Sequence, residues 1–139
     1  MFSIRQGNKT EADMLRERLL ASLRQTLPQG SNDEFALVAT GQDDSVAGGL
    51  TAATAYGWLL VKVLWVDPTY RRSGVASALL AEAEARAVSL GCHAAWLDTS
   101  NPDAMRFYCA NGFTTFARLT NNDHESPPAH CRWFLKKPL

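Results

Sequence analysis

Two short strings in the chain hold residue types that could do chemistry. The first runs Val66-Asp-Pro-Thr-Tyr-Arg-Arg-Ser-Gly-Val-Ala-Ser77 and leads from an apolar run into a helix-forming one. A helix N-terminus leaves about four backbone N–H groups without partners, and its dipole favours anions. Gly74, Ala76 and Ser77 lack bulk, so a phosphate could approach that backbone closely. Arg71 and Arg72 could add charge-assisted hydrogen bonds. The string can therefore cradle a diphosphate, although it is neither a P-loop nor a glycine-rich dinucleotide fingerprint. Taken alone, it is equally an ordinary turn with two solvated arginines.

The second string is Asn101-Pro-Asp-Ala-Met-Arg-Phe-Tyr-Cys-Ala-Asn-Gly-Phe113. Asn101 can cap a helix, with Pro102 in its first turn. Phe107 and Tyr108 fall near the end of that helix. Phe107 reads as core. Tyr108, taken alone, reads as packed with its hydroxyl on a local partner.

The surrounding elements decide whether these strings meet. Phe2 and Ile4 alternate with Ser3 and Arg5, which predicts a short edge strand. After Thr10, apolar residues at 12, 15, 19, 23 and 27 put one stripe on a helix that Pro28 and Gly30 stop. Strands are predicted at 35–39 and 46–56, joined by the turn cluster 41–45. Gly48-Gly49 predicts a bulge or a close backbone approach. The run WLLVKVLWV at 58–66 is nearly continuously apolar, which predicts a central strand buried on both faces. A helix at 75–90 closes at Gly91. A strand at 93–99, a short helix at 101–110 and two strands at 113–119 and 131–136 complete the order. Residues 120–129, with Pro127-Pro128, are a surface loop. The pattern β-α-β-β-β-α-β-α-β-β suits a mixed α/β sheet flanked by helices.

With 139 residues, one domain spanning 1–139 is expected. Lys plus Arg and Asp plus Glu both number 14, which disfavours a strongly basic nucleic-acid surface. Cys92, Cys109 and Cys131 form no closely spaced pair, so neither a zinc ribbon nor a thioredoxin-type site is expected, and no metal. The sparse, odd count suits a reducing compartment. No apolar run has signal-peptide or membrane-spanning length, so a soluble cytoplasmic protein is predicted, without membrane partners.

Together the two strings resemble the GNAT superfamily of acetyl-CoA-dependent N-acetyltransferases. The family's loop carries glutamine or arginine, then glycine three residues on and a small residue two further; Arg71, Gly74 and Ala76 match. Its later pattern is matched at Asn101, Ala104, Phe107, Tyr108, Gly112 and Phe113. The resemblance is specific over about residues 57–118 and extends loosely to the whole chain. It implies a central mixed sheet of six to seven strands. It implies acetyl-coenzyme A as cosubstrate, its diphosphate held by Arg71, Arg72, Ser73, Gly74, Val75, Ala76 and Ser77. The pantetheine arm would lie on the backbone of Leu64, Trp65 and Val66, and Asn101 would hydrogen-bond it. Trp65 stands where a small residue is expected. It either walls the acyl or acceptor pocket or simply packs, and packing is the expectation.

The implied reaction is direct attack of a primary amine on the thioester. A lysine-type amine has a pKa of about 10.4 and must lose a proton to attack. The leaving thiolate, with a thiol pKa of about 8.5, benefits from a donor. The resemblance gives Tyr108 that role. Asp98 and His130 are the candidate bases, with Glu34 and His124 weaker and a water-mediated base open. The acceptor amine is not legible, on a small molecule or on a protein. The resemblance also implies that the chain could pair as a homodimer. The rival from another class is a module of the same fold that senses acyl-CoA without turnover.

Overall fold

The computed structural model covers residues 1–139. The chain folds in the order α1 (Lys9–Thr26), β1 (Glu34–Thr40), β2 (Val46–Ala55), β3 (Trp58–Val66), α2 (Val75–Ser89), β4 (Ala94–Thr99), α3 (Pro102–Ala110), β5 (Thr114–Thr120) and β6 (Cys131–Pro138). The six strands form one sheet in the order β1-β2-β3-β4-β6-β5. Only β3 and β4 run parallel; the other neighbours are antiparallel. This is the mixed α/β architecture that the sequence predicts.

One face of the sheet carries the core. Leu50, Ala52, Leu59, Val61, Ala95, Leu97 and Leu135 meet Leu79, Leu80, Ala83 and Ala87 of α2 and Tyr108 and Phe113 from the α3 side. The alanines at 83 and 87 let α2 lie close to the strands. Its end is fixed by Gly91 at φ +90°, with the Cys92 N–H bonded back to the Ala87 carbonyl at 2.9 Å. That left-handed turn satisfies carbonyls a helix would leave orphaned.

Two expectations are corrected. Residues 1–8 form no strand. Alternation at Phe2 and Ile4 supplies a pattern but no partner, and both side chains are exposed. The helix predicted after Thr10 forms as α1, which buries no residue. Finally, β3 is not buried on both faces: Leu59 and Val61 are buried and Trp58 and Leu60 half-buried in its first half, and Lys62, Val63 and Trp65 are exposed. The cause is that β3 pairs with β4 only from Trp58–Ala94 to Leu60–Trp96. Beyond Leu60 the two strands part, while β3 stays paired with β2 as far as Val66.

Gly48 makes the end of β3 possible. A Cβ there would sit 2.7 Å from the Trp65 carbonyl oxygen, 3.1 Å from Val75 and 3.2 Å from the Val66 Cα. Two of these are backbone atoms that cannot rotate away. Gly48→Ala should therefore destabilise the fold by about 1–3 kcal/mol, the usual cost of overpacking, measured as a lowered urea midpoint. An unchanged midpoint would mean that the strand end yields freely.

Candidate active site

The site is assembled where β3 stops and α2 starts. Asp67 ends the strand and folds the next turn. Its carboxylate accepts from the Thr69 backbone N–H at 2.9 Å and the Thr69 hydroxyl at 2.6 Å. Those two bonds hold its pKa below the ordinary carboxylate value. Arg72 and Gly74 both take positive φ, +64° and +85°, which turns the chain sharply into α2. No side chain caps this helix end, so its first N–H groups face outward without a protein partner. A Cβ on Gly74 would meet nothing within 4 Å, so the approach to that backbone is open.

A groove of about 400 Å³ lies over this helix end. Val66, Arg71, Arg72, Gly74, Val75, Ala76 and Ser77 line it, with Tyr70 and Phe107. The sequence-predicted loop residues are thus brought together. Ser73 is the exception: its hydroxyl donates back to the Tyr70 carbonyl, and it lines a separate recess beside β1. What it can offer the groove is main chain. Open amides at a helix N-terminus plus two guanidiniums fit a diphosphate.

The parted strands extend the groove. Leu50, Gly49 and Gly48 pair with Leu64, Trp65 and Val66 on one side. On the other side the main chain of those three residues has no strand beside it, so an extended, amide-bearing arm could bond there. Trp65 is 48% exposed, which corrects the expectation that it packs. It stands on the opposite face from Leu64, which packs against the core.

Tyr108 lies in α3, stacked edge-on between Phe107 and Phe113 at centroid distances of 5.3 and 5.6 Å. The ring is buried, and burial alone pushes its pKa above the usual phenol value. Phe107 packs against the core, as expected, and also lines the groove beside that ring. Asn101 caps α3, its side-chain oxygen accepting from the Asp103 and Ala104 N–H groups at 2.8 and 3.3 Å. Its amide N–H groups are left to donate elsewhere.

The two candidate bases belong to one row of side chains. Arg132 Nε lies 3.5 Å from the Asp98 carboxylate and 3.4 Å from Ser100 Oγ. Ser100 Oγ in turn lies 3.4 Å from His130 Nε2. The pairing of β4 with β6, which sets Asp98 opposite Phe134 and Thr99 opposite Trp133, builds this row. Arg132 and Ser100 were not foreseen, and no local signal marks them. Glu34 sits elsewhere, at the start of β1. It is held by Lys62 at 3.1 Å and Arg16 at 3.4 Å, and the Lys62 hydrogen bond keeps its pKa low. His124 lies exposed in the β5–β6 loop, tied by its backbone to Asn122. No cluster of three or more His, Cys, Asp or Glu could hold a metal ion.

Comparison with known proteins adds independent findings. The family model described as "Acetyltransferase (GNAT) family" matches residues 4–113. An acetyltransferase of Agrobacterium fabrum is 39% identical over 105 residues, 76% of this chain and 77% of that one. A blasticidin-S acetyltransferase of Streptomyces morookaense is 36% identical over 106 residues, 76% of this chain and 75% of that one. A solved protein of Agrobacterium tumefaciens superposes over 100% of this chain and 99% of its own, with a TM-score of 0.84 and 33% identity.

Proposed function

The chain belongs to the GNAT family of acetyltransferases, and from that premise we propose that it moves the acetyl group of acetyl-CoA onto a primary amine of a small molecule by direct attack. The observation that carries this reading is the run from the unpaired edge of β3 into the uncapped, open start of α2. A strand-like arm ending in a diphosphate matches that run in both shape and charge. The amine is proposed to be a small molecule's because a relative 36% identical over 76% of the chain is named for such an acceptor. One domain, 1–139, in the cytoplasm is the form in which it would act. The free cysteines Cys92, Cys109 and Cys131 support a reducing compartment, and no helix is long and apolar enough to cross a membrane.

The roles follow from position. The amides of Val75, Ala76 and Ser77, with Arg71 and Arg72, would hold the diphosphate. Main-chain groups of Leu64, Trp65 and Val66 would bond the arm, and an N–H among them would polarise the thioester carbonyl. Tyr108 would give its proton to the departing sulfur. Its raised pKa keeps the phenol protonated across the working range, because an acid is a donor below its pKa. His130 would take the amine's proton, directly or through water. Asp98 already faces Arg132 and would orient the row that carries His130.

Titration calorimetry with acetyl-CoA, followed by a screen of amines for thiol release, tests the reading. Saturable binding with turnover on a small amine is expected. Turnover only on a protein amine would overturn the acceptor assignment, and binding without any turnover would favour the sensor. With a working amine, His130→Gln should remove the acidic limb of the kcat/KM profile and cost about a hundredfold. Asp98→Asn should lower the rate while keeping that limb. A limb that survives in His130→Gln would place the base elsewhere.

A further inference from the structure

The largest hollow in the molecule, about 740 Å³, lies between α1 and the sheet. It shares no residue with the groove over the start of α2. Its origin is in the sequence. Ala53 and Ala55 put almost no bulk on this side of β2, and α1, which buries none of its residues, stands off from them. The floor is aromatic. Trp58 of β3 and Trp96 of β4 are half-buried and line it together. They are diagonal neighbours, because Trp58 pairs with Ala94 and Leu60 with Trp96. The edge of Trp58 is held against the His93 ring at 5.4 Å between centroids. Both indoles also line an adjoining hollow with Phe116, so the aromatic surface runs on toward β5.

One wall of the hollow is strained. Ala55 pairs with Trp58 across a two-residue turn, with Tyr56 at φ +56° and Gly57 at φ +78°. Such a turn favours asparagine or glycine in its first place, and a bulky aromatic there is an outlier. Tyr56 is nonetheless pinned. Its hydroxyl accepts from Gln29 Nε2 at 3.0 Å, and its N–H donates to the Gln29 carbonyl. Gln29 is buried, as is Thr54. Thr54 fastens the same loop by accepting from the Ser31 hydroxyl at 2.9 Å and the Asp33 N–H at 3.0 Å. A phenol ring held at a cavity against its backbone preference is the kind of strain that collects at binding sites. The rim carries Arg16, Arg24 and Lys62 against Glu17, Asp33 and Glu34. Three cations offset three carboxylates, so the hollow favours neither a polyanion nor a polycation. Shape and ring stacking are left to discriminate.

Resting on the acetyl-transfer reading, we propose that the acceptor is a primary amine tethered to a flat aromatic or heteroaromatic ring, with the ring stacked on Trp58 and Trp96. The volume is that of a small-molecule site. An arm that starts at α2 and follows the free edge of β3 runs toward Leu60 and Trp96, where the strands close, and both residues line the hollow. The amine nitrogen bonds the acetyl carbon as the C–S bond breaks, and the proton it loses balances the one that sulfur gains.

Phenethylamine and 2-cyclohexylethylamine test the proposal, since they share a carbon skeleton and differ in ring planarity. With acetyl-CoA, kcat/KM should be about tenfold higher for phenethylamine, the worth of stacking on two indoles. Trp58→Leu with Trp96→Leu should bring that ratio near one, mainly through KM. Should this variant fail to fold, Tyr56→Asn, which suits the turn, should raise KM for phenethylamine several-fold. Without acetyl-CoA, millimolar phenethylamine should shift the indole N–H resonances of Trp58 and Trp96 and spare that of Trp133, which packs against the core. Equal kcat/KM for the two probes would overturn the proposal while leaving acetyl transfer in place, and so would indole resonances that phenethylamine does not move. Indole shifts with no thiol release on any amine would support the ring site and overturn the acetyl-transfer reading instead.

Discussion

Gly74→Glu is expected to weaken acetyl-CoA binding by about a hundredfold or more, which is about 2.8 kcal/mol or above at 1.4 kcal/mol per decade. Two separate effects act in the same direction. At φ +85° any residue with a Cβ is strained, at a cost of about 1–3 kcal/mol borne by the loop. The glutamate also sets a negative charge at the uncapped helix end, where the diphosphate is to sit, and like charges so placed cost several kcal/mol. Gly74→Ala separates the two. It keeps the strain without the charge, and nothing lies within 4 Å of its methyl group, so its loss of affinity should be much smaller. Calorimetry on both variants, with folding verified by circular dichroism, decides the matter. Full affinity in Gly74→Glu would remove the helix end from the binding site.

Tyr108→Phe is expected to lower kcat by about a hundredfold or more, the range for loss of a general acid. Acetyl-CoA affinity should stay within a few-fold. The ring contributes packing against Phe107 and Phe113, and phenylalanine keeps that. The hydroxyl is not among the enclosed polar atoms that lack a partner, and burial is the only influence on its ionisation. Removing it should therefore leave thermal stability nearly unchanged. The pH dependence has a definite sign. Burial raises the phenol's pKa, so the wild-type rate should not fall on the alkaline side before the ordinary phenol range is passed. Wild-type turnover in Tyr108→Phe would exclude it as the proton donor.

Much of the site could be read from the sequence because its central parts are local. The loop 66–77 joins one strand to the next helix, and the turn-forming glycine, the arginines and the small residues all lie within a dozen positions. Asn101 likewise caps the helix it begins. The row from Asp98 to His130 is a different case. It exists because β4 lies beside β6, which joins residues 30 and more positions apart, and no periodicity encodes that. The half-open character of β3 was hidden for a similar reason. The hydrophobicity of residues 58–66 marks a central strand, but that β4 leaves it after Leu60 depends on where the partner goes. For α1 the spacing of leucines correctly gave a stripe. Amphipathic spacing says that a face wants cover and never says whose.

The parting of β3 and β4 also bears on how firmly the fold holds together. A sheet cut along its middle forgoes several ladder hydrogen bonds between its two halves, which are then joined there by only three residue pairs and by the helices across one face. A ligand lying in the cut would supply bonds that the polypeptide itself does not make. Folding and ligand capture then become linked equilibria: at a free ligand concentration a hundred times Kd, the native state gains about 2.7 kcal/mol. In that sense the acetyl donor would serve the native state as a removable seventh strand, and the resistance of the sheet to melting would track how much of the donor the cell keeps at hand.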